Sequence, residues 1–345
     1  MALLSCFECG NQVSDQAAAC PHCGAPFQEQ AATATEVGPM RDFGGITSFI
    51  KGSEAIRVKG GTMKRWTWFI LANVAIVASL SIISGGALIA IAPFFLLFGF
   101  TFPFIGLLFS KTFAKKAHHM HIINPEGFQN EEEKSLYEMV ASLCSKAGMQ
   151  HMPEVGIYES RDVNAFATGP SKKRSLVAFS TALLEQMDEE AIAAVAAHEV
   201  AHISNGDMVT LSLVQSVVNT IVLLITLPLN MIKWVAFFSE NVSALMFYLI
   251  AFVKFVATLV LAFLGSLVVK AFSRKREFAA DKLASELINK ESMIFALESL
   301  KMDNPVVVKE QKAYAALKIS SPSRVWDIFS THPSLERRIE RLKNL

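Results

Sequence analysis

The residues best suited to chemistry are His198-Glu199-Val200-Ala201-His202. On a helix, positions four apart share a face, so His198 and His202 can present two imidazoles to one ion. Glu199 then projects beside that ion, where it can take a proton from water that the ion has acidified. Alone, the pattern fits a zinc hydrolase or a solvated helix face about equally. The flanks favour the hydrolase. Ala193-Ala194-Val195-Ala196-Ala197 is too small and apolar for a solvated face and suits close approach of another helix. Asp188, Glu189 and Glu190 place three acids at the helix's positive end, and Asn205-Gly206-Asp207 ends it.

Such a site needs a third ligand. The stretch Ser273 to Asp281 offers Glu277 and Asp281, again four apart on an expected helix. Glu277 would complete a His, His, Glu set with a fourth position open for water. Asp281 could accept the second N–H of a ligand histidine and fix its tautomer. The competing reading is a basic patch beside a membrane span with ordinary helical acids. The spacing and the small filler residues Ala279 and Ala280 favour the ligand role.

A second metal pattern lies at the N-terminus. Cys6-Phe7-Glu8-Cys9 and Cys20-Pro21-His22-Cys23 are each followed by Gly and are separated by ten residues. Two such knuckles converge four thiolates on one structural zinc. A disulfide framework competes, but two-residue spacing with a trailing glycine is the metal pattern. No secretory signal precedes the knuckles, so a reducing compartment is expected. The fifth cysteine, Cys144, sits in an amphipathic segment and reads as a buried small hydrophobe. Cys6 to Gly24 contains no Lys or Arg, which argues against nucleic acid and leaves protein contact as the ribbon's expected role.

The elements that position these groups are unusually apolar. Of 345 residues, 52% are hydrophobic and 18% charged, against about 25% charged in ordinary soluble domains. A net charge of +1 gives no reason to expect nucleic acid as a partner. Residues 1–26 read as a zinc ribbon and 27–60 as a linker rich in Ala, Thr, Gln and Gly. Residues 66–110 hold no charged side chain, with Ser84-Gly85-Gly86 as a turn, and read as a transmembrane hairpin. A buried core hairpin of that length would need a polar face, which this one lacks. A second apolar pair, 208–269, interrupts a domain spanning 117–345. It reads as two more spans, or as a soluble or interfacial hairpin covering the site. Lys254 within it is either a snorkelling lysine or a groove residue. Lys64, Arg65, Lys111, Lys115, Lys116 and Lys270 to Arg276 flank these segments, so the ends are expected on the cytoplasmic side. Asn130 to Gly148 reads as an amphipathic helix. Glu154 to Tyr158, Asn164 to Thr168 and Ser175 to Phe179 read as short strands. Both ligand sets fall within about 15 Å of the bilayer surface.

In this order, these residues resemble the HtpX family of membrane metalloproteases, related to the CAAX prenyl proteases of the gluzincin type. The resemblance runs from about residue 66 to the C-terminus. It includes Asn164-Ala165-Phe166-Ala167-Thr168-Gly169, Val177 to Thr181, His198 to Asp207, Ser273 to Asp281 and the terminal His332-Pro333 helix. It implies a mainly α integral membrane protein with about four hydrophobic helices, carrying an α+β zinc protease domain with a small sheet. It implies a multi-pass protein of the cytoplasmic (inner) membrane, with termini and active site cytoplasmic, that cleaves membrane or membrane-associated proteins in quality control and stress response. His198, His202 and Glu277 carry over as ligands of the catalytic zinc, Glu199 as general base and Asp281 as the acid behind them. Asn164, Ala165 and Phe166 match the strand expected to pair with substrate backbone. His332 is either a transition-state donor or a helix-start residue beside Pro333. The ribbon lies outside the family pattern. A rival function is a zinc-binding membrane scaffold that cuts nothing, but a scaffold has no need of Glu199.

Overall fold

The structure, a computed structural model, describes residues 3–5, 12–14, 23, 42–52, 54–56, 67, 70, 71, 74, 75, 92–238, 244–302 and 332–345. The chain divides into two compact units, Met1–Arg41 and Asp42–Leu345. In the first, β1 (Leu3–Ser5) and β2 (Gln12–Ser14) pair antiparallel with Leu3 opposite Ser14. Cys6, Cys9 and Cys20 lie outside the described residues, and Cys23 is exposed. The turn expected at Ser84 to Gly86 also lies outside them.

The second unit begins inside the expected linker, where α1 (Gly44–Lys51) forms. Its buried Phe43, Thr47 and Ile50 recur at helical spacing and seat it on α3. Gly44-Gly45 signalled a loop, but the apolar stripe prevails. Next come α2 (Ala92–Ala117) and α3 (Glu131–Lys146). The Asn130 side chain caps α3 by accepting from the Glu133 N–H at 2.7 Å. Helix α2 runs seven residues past Ser110, where its charge-free stretch ends, and Lys111 and Lys115 there both pair with Glu154.

Four strands build one mixed sheet: β3 (His121–Ile122), β4 (Glu154–Tyr158), β5 (Ala165–Thr168) and β6 (Leu176–Ser180), in the order β3-β4-β6-β5. Strands β4 and β6 run parallel, while β3 and β5 add antiparallel at the two ends. Side chains alternate across the sheet. Val155, Ala165, Val177 and Phe179 face the main helical core, whereas Tyr158, Phe166, Leu176 and Ala178 face α2 near Ala114.

The remaining helices are α4 (Thr181–Gln186), α5 (Glu189–Asn205), α6 (Asp207–Phe238), α7 (Ala244–Leu287), α8 (Lys290–Met302) and α9 (Leu335–Lys343). Helix α5 is central: residues 191–204 are all buried against α3, α7, α8 and β5. Its alanines leave room for that approach, and a larger side chain there would overpack at a cost of about 1–3 kcal/mol. Helix α7 is one uninterrupted 44-residue element. The cluster Lys270 to Arg276 therefore does not end it, and Glu277 and Asp281 stand on the same rod as the apolar stretch. Lys146 Nζ donates to the Leu287 carbonyl at 2.6 Å, capping that rod.

Four hydrophobic helices were expected. Among the described residues, one helix, Leu245–Leu287, is long and apolar enough to cross a membrane. The pair Glu189–Asn205 and Asp207–Leu223 passes the same test only jointly, bent by 56°, and its first half is buried core.

Candidate active site

Two helix ends and one rod bring the ligands together. Helix α5 closes at Gly206, whose φ of 69° is left-handed, and its N–H returns to the His202 and Ile203 carbonyls. That stop turns the chain so that Asp207, the first residue of α6, faces back toward His202. Helix α7 packs on α5 and delivers Glu277 and Asp281. Helix α9 packs on α7 and α8 and delivers Arg338.

His198 and His202 meet edge to face, their rings at 85° and their Nε2 atoms 3.1 Å apart. The Glu277 carboxylate bridges them, with Oε1 3.4 Å from His202 Nε2 and Oε2 3.5 Å from His198 Nε2. Each imidazole is fixed from behind. His198 Nδ1 lies 3.0 Å from Asp281 Oδ1, and His202 Nδ1 lies 2.7 Å from Asp207 Oδ2. Donating Nδ1–H to a carboxylate leaves both Nε2 lone pairs aimed at one point. Arg338 fixes Asp281 in turn, giving Nε to Oδ2 at 2.8 Å and Nη2 to Oδ1 at 2.5 Å. Arg276 Nη1 donates to the Asp207 carbonyl at 2.7 Å.

The donor set fits a zinc ion. Bonds of about 2.0–2.1 Å in a tetrahedron place ligand atoms about 3.3–3.4 Å apart; the two Nε2 atoms lie 3.1 Å apart, and each faces one Glu277 oxygen, at 3.4 Å for Oε1 and 3.5 Å for Oε2. Glu277 Oε2 is buried and accepts no well-aligned hydrogen bond, although His332 Nδ1 lies 2.8 Å away. The electrostatics agree. Burial works against charge on both imidazoles, yet Asp281 and Glu277 raise the His198 pKa, and Glu277 and Asp207 raise that of His202 to about 10. Burial also resists ionisation of Glu277, and the charges of His332 and His202 hold it well below the usual carboxylate range. A cage that draws protons onto imidazoles favours a divalent cation for the same reason.

Glu199 is buried beside this cluster. Burial pushes its carboxyl up, against the pull of His198 and His202. A carboxylate raised above its usual range is a better proton acceptor. Asn164 and the β5 edge approach from the other side. The Asn164 Nδ2 group donates to the Tyr158 hydroxyl at 2.9 Å, and Ala165 and Phe166 are buried. Asn164 Oδ1 is buried without a hydrogen-bond partner, and with the Ala165 and Phe166 side chains buried an incoming peptide would meet chiefly the backbone of this strand. Among the described residues β5 has β6 on one side only, and it packs near α5.

His198, Glu199, His202, Glu277, Asp281 and His332 thus converge. Two participants escaped the sequence reading. Asp207 looked like part of a helix stop, and Arg338 like one charge on a charged helix. Arg338 is nonetheless wholly buried and shares the inward stripe of α9 with Leu335, Ile339 and Leu342, a spacing visible in the sequence.

Comparison with known proteins agrees with this geometry. The model of Peptidase family M48 matches residues 130–345. A Protease HtpX homolog of Bacillus licheniformis is 42% identical over 299 residues, covering 81% of this chain and 99% of its own length. The homolog of Bacillus subtilis is 41% identical over 301 residues, with the same two coverages. Protease HtpX of Thioalkalivibrio sulfidiphilus is 40% identical over 297 residues, again covering 81% and 99%. The fold is similar to that in the crystal structure of S. mikatae Ste24p, with a TM-score of 0.53 at 17% identity, covering 81% of this chain and 67% of that one.

Proposed function

The chain belongs to peptidase family M48 and is a metalloprotease of the HtpX type; from that premise we propose a membrane-anchored, zinc-dependent endopeptidase that cuts membrane or membrane-associated proteins in quality control. The observation that carries the assignment of the site is the convergence of His198 Nε2, His202 Nε2 and one Glu277 carboxylate at zinc-ligand spacing. Zinc, when bound, supplies Lewis acidity toward water and the scissile carbonyl. The chain's own residues do the rest. Asp281 and Asp207 hold each imidazole in the tautomer that presents Nε2. Glu199 takes a proton from the attacking water and returns it to the leaving amine. His332, beside Glu277, is positioned to donate to charge that develops on the substrate oxygen. The backbone edge of Ala165 and Phe166 pairs with the peptide and aligns it.

Membrane anchoring rests on the bare surface of α7. Leu245 is 80% exposed and Phe252 62%, and large apolar side chains continue outward to Val268. The stretch from Leu245 to Val268 spans about 36 Å of helix, enough for a bilayer core of about 30 Å. The basic residues after that stretch favour the cytoplasmic side for the active site and for both termini, as a protein of the inner membrane would have them. Lys254 is half-buried within the apolar stretch, where it can snorkel. The N-terminal unit holds a second, structural zinc on Cys6, Cys9, Cys20 and Cys23 and serves as a protein-docking module. Glu199→Gln tests the mechanism: the variant should bind zinc as the wild type does and cut nothing. Wild-type cleavage by it would refute the role of Glu199.

A further inference from the structure

Between the second face of the sheet and the C-terminal turns of α2 lies a cavity of about 410 Å³. Gly106, Phe109, Phe113, Ala117, Phe166 and Thr168 line it, its walls are almost wholly carbon, and it is open on the α2 side, where Phe109 and Phe113 are each 63% exposed. His118 joins them, its imidazole held toward neutrality by burial and packed 4.8 Å from Tyr158 and 5.6 Å from Phe166. Tyr158 links the cavity to the chemistry. Its ring lies 5.7 Å from Phe166, its hydroxyl takes the Asn164 hydrogen bond, and it lies within electrostatic reach of Glu199.

Phe166 and Thr168 are the two β5 side chains that point to this face, two residues apart on an end strand. A peptide added beyond β5 continues the pleat, so every second substrate side chain emerges on the face of Phe166 and Thr168. We infer that the cavity receives one substrate side chain, and that it selects a large apolar one of the Leu, Met or Phe class. This rests on the peptidase reading with strand addition at β5. A polar side chain entering these walls would lose water and meet few polar groups, those of Ser110, His118 and Thr168, and a small one would leave most of the space unfilled. A fitting apolar group gains about 10- to 100-fold in kcat/KM over an alanine, the discrimination that hydrophobic pockets provide. Two walls come from α2, the helix that leaves the apolar segment. The site would therefore take side chains where a membrane protein's own apolar stretch comes free of the bilayer.

The test uses the full-length zinc-loaded protein in nanodiscs and a single-pass reporter whose cytoplasmic flank is randomised, with cut sites read by mass spectrometry. Two variants fill the cavity. Ala117→Phe alters an exposed position, and Gly106→Leu places its Cβ where nothing lies within 4 Å, so both should fold. Wild type should show Leu, Met or Phe enriched at one fixed position relative to the cut bond. Either filled variant should lose about 10- to 100-fold in kcat/KM for those residues and shift that position to Ala, Ser or Gly. If wild type cuts but both variants keep its profile, the pocket assignment is wrong. That holds even if they change the lipid or detergent bound there, since the cavity then serves lipid. If zinc-loaded wild type cuts no more than Glu199→Gln, the peptidase reading itself fails and this inference falls with it.

Discussion

Arg338→Met should both destabilise the protein and weaken its zinc site, because the buried guanidinium on α9 holds Asp281 and, through it, the ligand histidine His198. Methionine keeps most of the apolar stem, so the change isolates the charge. Arg338 and Asp281 are both buried, joined at 2.8 and 2.5 Å. Removing one member of such a pair costs about 3–5 kcal/mol, since the other is left as an uncompensated charge. The Asp281 carboxyl gives a second route to the magnitude. Burial pushes it up, but Arg338, followed by His198, brings it from 3.8 to about 2. That depression corresponds to about 2–3 kcal/mol of stability at neutral pH. Because the folded pKa is depressed, the contribution is present above pH 3.8 and is lost as the pH falls through about 2. Taking about 3 kcal/mol, a domain of this size should unfold about 6–12 °C lower. Thermal unfolding in detergent, followed by intrinsic fluorescence with zinc content measured in parallel, reads both effects. The double variant Arg338→Met/Asp281→Asn should recover more than half of the lost stability without recovering zinc affinity. A wild-type melting temperature for Arg338→Met would refute the reasoning, as would a double variant no better than the sum of its singles.

Further predictions follow from the same geometry. Asp207→Ala should lower zinc affinity about 10- to 100-fold by releasing His202 Nδ1, read by competition with a chromogenic chelator, while Asp207→Asn recovers part of it. Gly206→Ala should cost about 1–2 kcal/mol because its φ of 69° is left-handed, and chemical denaturation would show this. Burial pushes the Cys144 thiol up to about 12, so peptide mapping after maleimide treatment at neutral pH should find it unlabelled until the protein is denatured.

The chemistry was legible where spacing alone encodes proximity. His198 and His202 share one helix face, as do Glu277 and Asp281, so each pair could be placed before any fold was known. The meeting of the two pairs rested on the need for a third ligand and on the spacing and small neighbours of Glu277, with the family resemblance in support, because seventy-odd residues of chain separate them. Asp207 was hidden by the bend at Gly206: only a left-handed stop turns the next residue back onto His202. Arg338 was hidden by its own charge, though its stripe with Leu335 and Ile339 was a usable signal. The three expected strands, β4, β5 and β6, appeared within a residue of their expected ends, since each is a short apolar run bounded by polar turns, while β1, β2 and β3, only two or three residues long, went unread. Charges misled at two helix ends. Lys111 and Lys270 mark where a bilayer would stop, not where hydrogen bonding stops, so α2 and α7 run on into the protease domain.

The central claim is that one zinc held by His198, His202 and Glu277 serves a peptidase whose base is Glu199. Measuring zinc content and cleavage of a membrane reporter on the same preparations of wild type, Glu199→Gln and Glu277→Ala tests it most directly. Wild type should hold full zinc and cleave, Glu199→Gln should hold full zinc without cleaving, and Glu277→Ala should lose one zinc and not cleave. Cleavage by Glu277→Ala with its zinc intact would contradict the ligand set, and cleavage by Glu199→Gln would contradict the mechanism.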